Sequence, residues 1–134
     1  MICPLLLVIS LWCIGSPAFA GDYDGSKILL FSVVEVFECI PEGECDERLA
    51  ESIGMPQFFK INFKKNMISS ISENEDSRTT KILHIDKSDQ SIILQGIQNE
   101  KSWGMRISKE TGKATLTISD EGTGFVIFGA CLPM

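Results

Sequence analysis

Residues 102–131 read SWGMRISKETGKATLTISDEGTGFVIFGAC, and the spacing within this stretch decides the fold. Trp103, Met105 and Ile107 alternate with Ser102 and Arg106, and Ala114, Leu116 and Ile118 alternate with Thr115 and Thr117. A period of two places one set of side chains on a buried face and the other in water, which is the pattern of a half-buried strand. Between the runs stand Glu110-Thr111-Gly112 and Asp120-Glu121-Gly122, where glycine and small polar residues supply turn chemistry. Three strands follow: Ser102–Lys109, Lys113–Ser119 and Gly124–Cys131. The third is apolar on both faces (Phe125 and Ile127 against Val126 and Phe128) and is expected to pair centrally or be covered on both sides.

The same rhythm extends toward the N-terminus. Lys27–Ile40 reads as a long first strand, and Gln57–Phe63, Met67–Ser72, Thr80–Asp86 and Ser91–Ile97 complete a set of eight. Glu44–Ile53 (ECDERLAESI) breaks the pattern. It is rich in helix formers, has acids in its first turns and stops at Gly54 ahead of Pro56, so a short helix is expected between strands one and two. The fold class is mainly β: an antiparallel meander of about eight strands, either a barrel or a strongly curved sheet packed on that helix. Closure removes exposed strand edges, which otherwise invite aggregation. Gly96, Gly104 and Gly129 fall inside strands and are expected to mark bulges or bends.

The chain has 134 residues, enough for one core. Its 12 Lys plus Arg and 18 Asp plus Glu all follow Gly21. Residues 4–14 (PLLLVISLWCI) are almost wholly apolar, a breaker Gly15-Ser16-Pro17 follows, and Ala18-Phe19-Ala20 gives the small-x-small pattern read by a signal peptidase. Residues 1–20 therefore read as a signal peptide cleaved after Ala20, and residues 21–134 as a single β-rich domain delivered to the periplasm or secreted. The apolar stretch is too short for a stable membrane span, and no second one follows. A net charge of -6 argues against a nucleic-acid partner, since phosphate binding needs clustered cations.

Three cysteines remain after the leader: Cys39, Cys45 and Cys131. In an oxidising compartment this means one bridge and a spare thiol, or an intermolecular bond. If the first and last strands pair antiparallel, Cys131 lies far from Cys39 and the Cys39–Cys45 bridge is favoured. If they run parallel, Cys131 can reach either partner.

Candidate chemistry is sparse. His84, the only histidine, shares a strand face with Asp86, a pair that can orient an imidazole for base catalysis. One His and one Asp are too few for a metal site, and no metal or cofactor is expected. A spare cysteine near His84 is the other nucleophile option. No Gly-x-Ser-x-Gly elbow, His-Glu-x-x-His helix or glycine-rich phosphate loop occurs. Phe59, Phe63 and Trp103 would line a ligand cavity if a barrel closes around them, and would otherwise fill its core. The acids Glu42, Glu44, Asp46, Glu47 and Glu51 suit a solvated helix start or a patch for a basic partner.

Trp103 with Ile107, the Thr111-Gly112 turn, alternating Lys113–Ser119 and the closing Gly129-Ala130-Cys131 resemble a pattern in small exported bacterial β-rich proteins of unknown function. The resemblance covers the C-terminal third and implies an exported β-rich domain. It brings no catalytic residues with it. The leading expectation is a non-enzymatic β domain that binds a protein partner or a small apolar ligand. The alternative is a small periplasmic hydrolase using His84 with Asp86, or a free cysteine.

Overall fold

The computed structural model describes residues 22–71 and 78–134. The expected signal peptide with its cleavage site, and the acids Glu73, Glu75 and Asp76, lie outside them. Ten strands form one antiparallel sheet: β1 (Leu29–Cys39), β2 (Cys45–Arg48), β3 (Phe58–Asn62), β4 (Met67–Ser70), β5 (Thr79–Lys81), β6 (His84–Lys87), β7 (Ser91–Gln98), β8 (Lys101–Ser108), β9 (Lys113–Asp120) and β10 (Thr123–Pro133). The expected β class and meander are present, and the sheet curls into a barrel-like shape.

Hydrogen bonding runs β5–β4–β3–β1–β10–β9–β8–β7–β6, with β2 beside the far half of β1. The two outermost strands are thus neighbours in sequence. The run expected as one strand, Thr80–Asp86, is split: β5 pairs with β4, β6 pairs with β7, and only Ile82 and Leu83 separate them. The Ile82 N–H donates to the Asn66 carbonyl (2.8 Å), whereas the next N–H, of Leu83, donates to the Gln95 carbonyl (2.9 Å) on β7. Two consecutive residues therefore hold opposite edges of the curled sheet. Each of these bonds extends its own ladder, and β5 and β6 remain the two ends of the strand order with no ladder between them.

Alternation sorts the faces as the sequence indicates. Leu29, Phe31, Ile61, Ile92, Leu94, Ile107 and Ile127 are fully buried and form the centre of the core. Each such side chain is worth about 1.5–3 kcal/mol of transfer free energy. β10 does pair centrally, between β1 and β9, but its outer face is not covered: Phe128 remains 41% and Leu132 57% exposed.

The expected helix over Glu44–Ile53 shrinks to one 3-10 turn, Ala50–Ile53, closed by Gly54 in the left-handed region at φ 69°. Its first half is instead β2, hairpinned onto β1 with Cys39 opposite Cys45 and Glu38 opposite Asp46. Every residue of β2 is exposed, so both faces are polar and no period of two could reveal the strand. Cys39 and Cys45 lie at disulfide-bonding distance, Cα–Cα 4.1 Å, and Arg48 Nε donates to Glu38 Oε2 at 3.0 Å.

A bulge lies between Val33 and Glu35, where β1 exchanges β3 for β2 as its neighbour on one side. Gln57 stitches the junction: its carbonyl accepts the Val33 N–H (3.0 Å) and its side-chain amide donates to the Val33 carbonyl. Of the intrastrand glycines expected to mark bulges or bends, Gly129 stands opposite Val33 at this bulge, whereas Gly96 and Gly104 sit in regular pairing. A Cβ at Gly129 would overlap the Ser32 carbonyl and the Phe31 ring, and one at Gly96 would overlap the Trp103 indole and stand 2.7 Å from the Lys81 carbonyl oxygen. At Gly96 and Gly129 the missing side chain admits these close neighbours.

Candidate functional site

The curled sheet has two ends, and among the described residues one is filled and the other open. At the end where β1 and β7 begin and β8 and β10 finish, the segment 22–26 packs across the opening. Tyr23 joins the core and lies against Gly112 in the β8–β9 turn, and buried Gly25 sits against Lys87 and Ile92. Lys87 Nζ lies 5.8 Å from the centroid of the buried Phe63 ring, a cation held over an aromatic face.

At the opposite end a cavity of about 340 Å³ opens between the strands. Phe59, Trp103, Met105, Leu116, Ile118 and Phe125 supply most of its apolar wall, and Ile53 to Pro56, from the 3-10 turn onward, cover part of the mouth. Such a volume lies at the lower bound of small-molecule sites and corresponds to roughly 11 groups the size of a water, at about 30 Å³ each. No buried side-chain nitrogen or oxygen among the described residues lacks a hydrogen-bond partner, so no buried side-chain polar group there is left for a ligand to satisfy.

Trp103 is the pivot of this site. Its cross-strand partner is Gly96, and the missing side chain there lets the indole lie across β7 toward β5, where Nε1–H donates to Thr80 Oγ1 at 3.1 Å. One side chain therefore forms part of the cavity wall and ties β8 to β5 at the place where the sheet edges meet. Phe59 forms another part of the wall and stacks on Phe31, with centroids 6.0 Å apart and planes 16° from parallel. That stacking fixes its rotamer from below.

Polar groups gather at the rim. Arg78 is anchored through its backbone N–H to Ser70 Oγ (2.9 Å) and its carbonyl to the Ser70 N–H (2.9 Å), and its guanidinium donates to the Gly54 carbonyl across the mouth. Lys101 stands on the same rim and pairs with Asp120 at 3.3 Å. The Glu121 backbone N–H, with help from Lys101, holds the Asp120 carboxyl below its usual range. Asp120-Glu121-Gly122 is thus a hairpin turn, and no group of three His, Cys, Asp or Glu able to hold a metal occurs among the described residues.

Of the three aromatic cavity candidates, Phe59 and Trp103 line the cavity and Phe63 does not. It shares their inward face but sits at the filled end. His84 and Asp86 are both exposed on β6, and their cross-strand partners, Gln95 and Ile93, offer neither nucleophile nor carboxylate. Among the described residues Cys131 is the free cysteine; it is buried opposite Phe31, on a strand separated from β6 by β7, β8 and β9. Burial pushes its thiol up to about 12, which leaves almost no thiolate at neutral pH. The structure does not bring His84, Asp86 and Cys131 into one site. The antiparallel β1–β10 pairing places Cys131 near the start of β1, leaving Cys45 beside Cys39.

The alternation places Met105, Leu116 and Ile118 inside but gives no sign that they face a void. Arg78 and the stretch Ile53 to Pro56 escape sequence reading altogether, because they lie in irregular segments that meet the barrel mouth only after folding. No family model matches the chain, and comparison with curated proteins and with solved structures gives no match either.

Proposed function

We propose that this chain is an exported β domain that holds a small apolar ligand in the open end of its curled sheet. The observation that carries the reading is the cavity of about 340 Å³ walled by Phe59, Trp103, Met105, Leu116, Ile118 and Phe125. An apolar void that opens at one end gains free energy when an apolar molecule replaces the water or emptiness in it, at about 25 cal/mol per Å² removed from solvent. The leader-like residues 1–20 support export.

The test compares native and denatured mass spectra of the full chain expressed in a bacterium and recovered from the periplasm. The reading expects a denatured mass that begins at Gly21 and a native mass larger by one small molecule, or larger after brief exposure to an apolar probe such as 1-decanol. A native mass that never exceeds the denatured one, with or without the probe, overturns the ligand reading. Protein that stays in the cytoplasm with residue 1 intact overturns export.

A protein partner is the second reading. It is supported by the uncovered outer face of β1 and β10, where Val34 is 69% exposed at the bulge. Exposed apolar residues grouped on a regular surface often mark contacts.

A further inference from the structure

We infer that the ligand of this cavity carries a single anionic head, and that Arg78 receives it: the site takes a medium-chain carboxylate, its chain among the aromatic and aliphatic walls and its carboxylate at the mouth. The inference rests on the ligand-binding reading above and adds the chemistry of the occupant.

Three observations carry it. The chain is acidic overall, with 18 Asp plus Glu, yet none of the described residues lining the cavity is an acid, while two, Arg78 and Lys101, are cations. Their places are unequal: Lys101 is engaged by Asp120 at 3.3 Å, whereas Arg78 spends one guanidinium nitrogen on the Gly54 carbonyl. A guanidinium has five N–H donors in a planar fork that matches a carboxylate, and among the described residues the Arg78 side chain bonds only the Gly54 carbonyl.

The second observation is that Arg78 is positioned and not merely near. Ser70 holds both its backbone N–H and its carbonyl, and the Gly54 carbonyl holds its side chain against the segment that covers the mouth. A cation whose geometry is fixed beforehand loses less entropy when it binds. Thirdly, size selects the tail. About 340 Å³ accommodates roughly 11 water-sized groups, which suits a chain of about ten carbons.

The experiment uses the full chain with Trp12→Phe, in which Trp103 is the sole indole and reports from the cavity wall. Decanoate, 1-decanol and decyltrimethylammonium are titrated against its fluorescence, in this background and in the further variants Arg78→Gln and Arg78→Lys. Arg78 is exposed, so either variant retains the fold, which circular dichroism checks. Arg78→Gln should weaken decanoate about 5-fold and leave 1-decanol within 2-fold, Arg78→Lys should recover part of the loss, and the cationic probe should bind more weakly than decanoate. Equal decanoate affinity in all three proteins, or tighter binding of the cation, overturns the anionic-head inference while cavity binding of 1-decanol stands. If none of the three probes perturbs Trp103 or binds by native mass, the ligand-binding reading fails with it.

Discussion

The two ends of the curled sheet are built from the same strands and the same alternation, yet one is solid and the other hollow. At the filled end, Tyr23 and Gly25 arrive from outside the sheet and Phe63 lies under the Lys87 ammonium. At the hollow end the cover among the described residues is a 3-10 turn and the few residues after it, and the aromatic rings lie along the wall. The contrast shows that an inward-facing large side chain does not by itself fill a barrel. What fills it is a chain segment crossing the end. Small barrels are solid when side chains meet in the middle and hold a ligand when they do not.

Matched truncations give the sharpest way to break this contrast. Phe63→Ala removes a ring packed on all sides and should cost about 3–5 kcal/mol, whereas Phe59→Ala enlarges an existing void and should cost about half as much. Urea denaturation of both variants checks the ordering. Equal losses would mean that the two ends are equally packed. Only Phe59→Ala should also change the affinity for an apolar probe.

A substitution that fills the hollow end from the wall comes next. Gly96→Val places a branched side chain where the Trp103 indole lies, so either the indole moves or the Lys81 strand does. Overpacking of this kind costs about 1–3 kcal/mol. The expected signature is a shifted Trp103 emission together with loss of probe binding, since the displaced indole no longer reaches Thr80.

The smallest effect concerns Cys131. Burial raises its pKa from 9.0 to about 12 in the folded chain. Well below pH 9 both folded and unfolded thiols are protonated and nothing changes. As the pH rises from about 9 toward 12 the unfolded thiol ionises first, so the unfolded state gains and stability falls. Denaturation midpoints should decline over that window in the parent and less steeply in Cys131→Ala. The native thiol should react slowly with an alkylating reagent at pH 8 and promptly once unfolded. Prompt reaction in the native protein would contradict its burial.

How much of this is legible in the sequence follows from what a period of two can carry. It distinguishes inside from outside, and so it finds the strands, the buried faces of β3, β8 and β9, and the cavity residues Phe59 and Trp103. It says nothing about height along the barrel axis, which depends on register between distant strands, and so Phe63 is grouped with the cavity when it belongs to the plug. β2 is hidden because a strand exposed on both faces has no apolar alternation, and ECDERLAESI favours a helix by composition until the Cys39–Cys45 pairing overrides it. The split of Thr80–Asp86 into β5 and β6 is likewise invisible, since no residue type there signals that Ile82 gives its N–H to Asn66 and Leu83 to Gln95. Arg78 lies in a turn-rich stretch, where a lone cation reads as solvated surface.

The measurement that tests the central claim most directly is a crystal structure of the protein under xenon pressure, because xenon enters apolar voids without needing any particular head group. The account predicts xenon against Phe59, Trp103 and Met105 at the open end and none around Phe63 and Tyr23. Xenon at neither end, with Trp103 collapsed into the space, would contradict the hollow end and remove the basis for a ligand there.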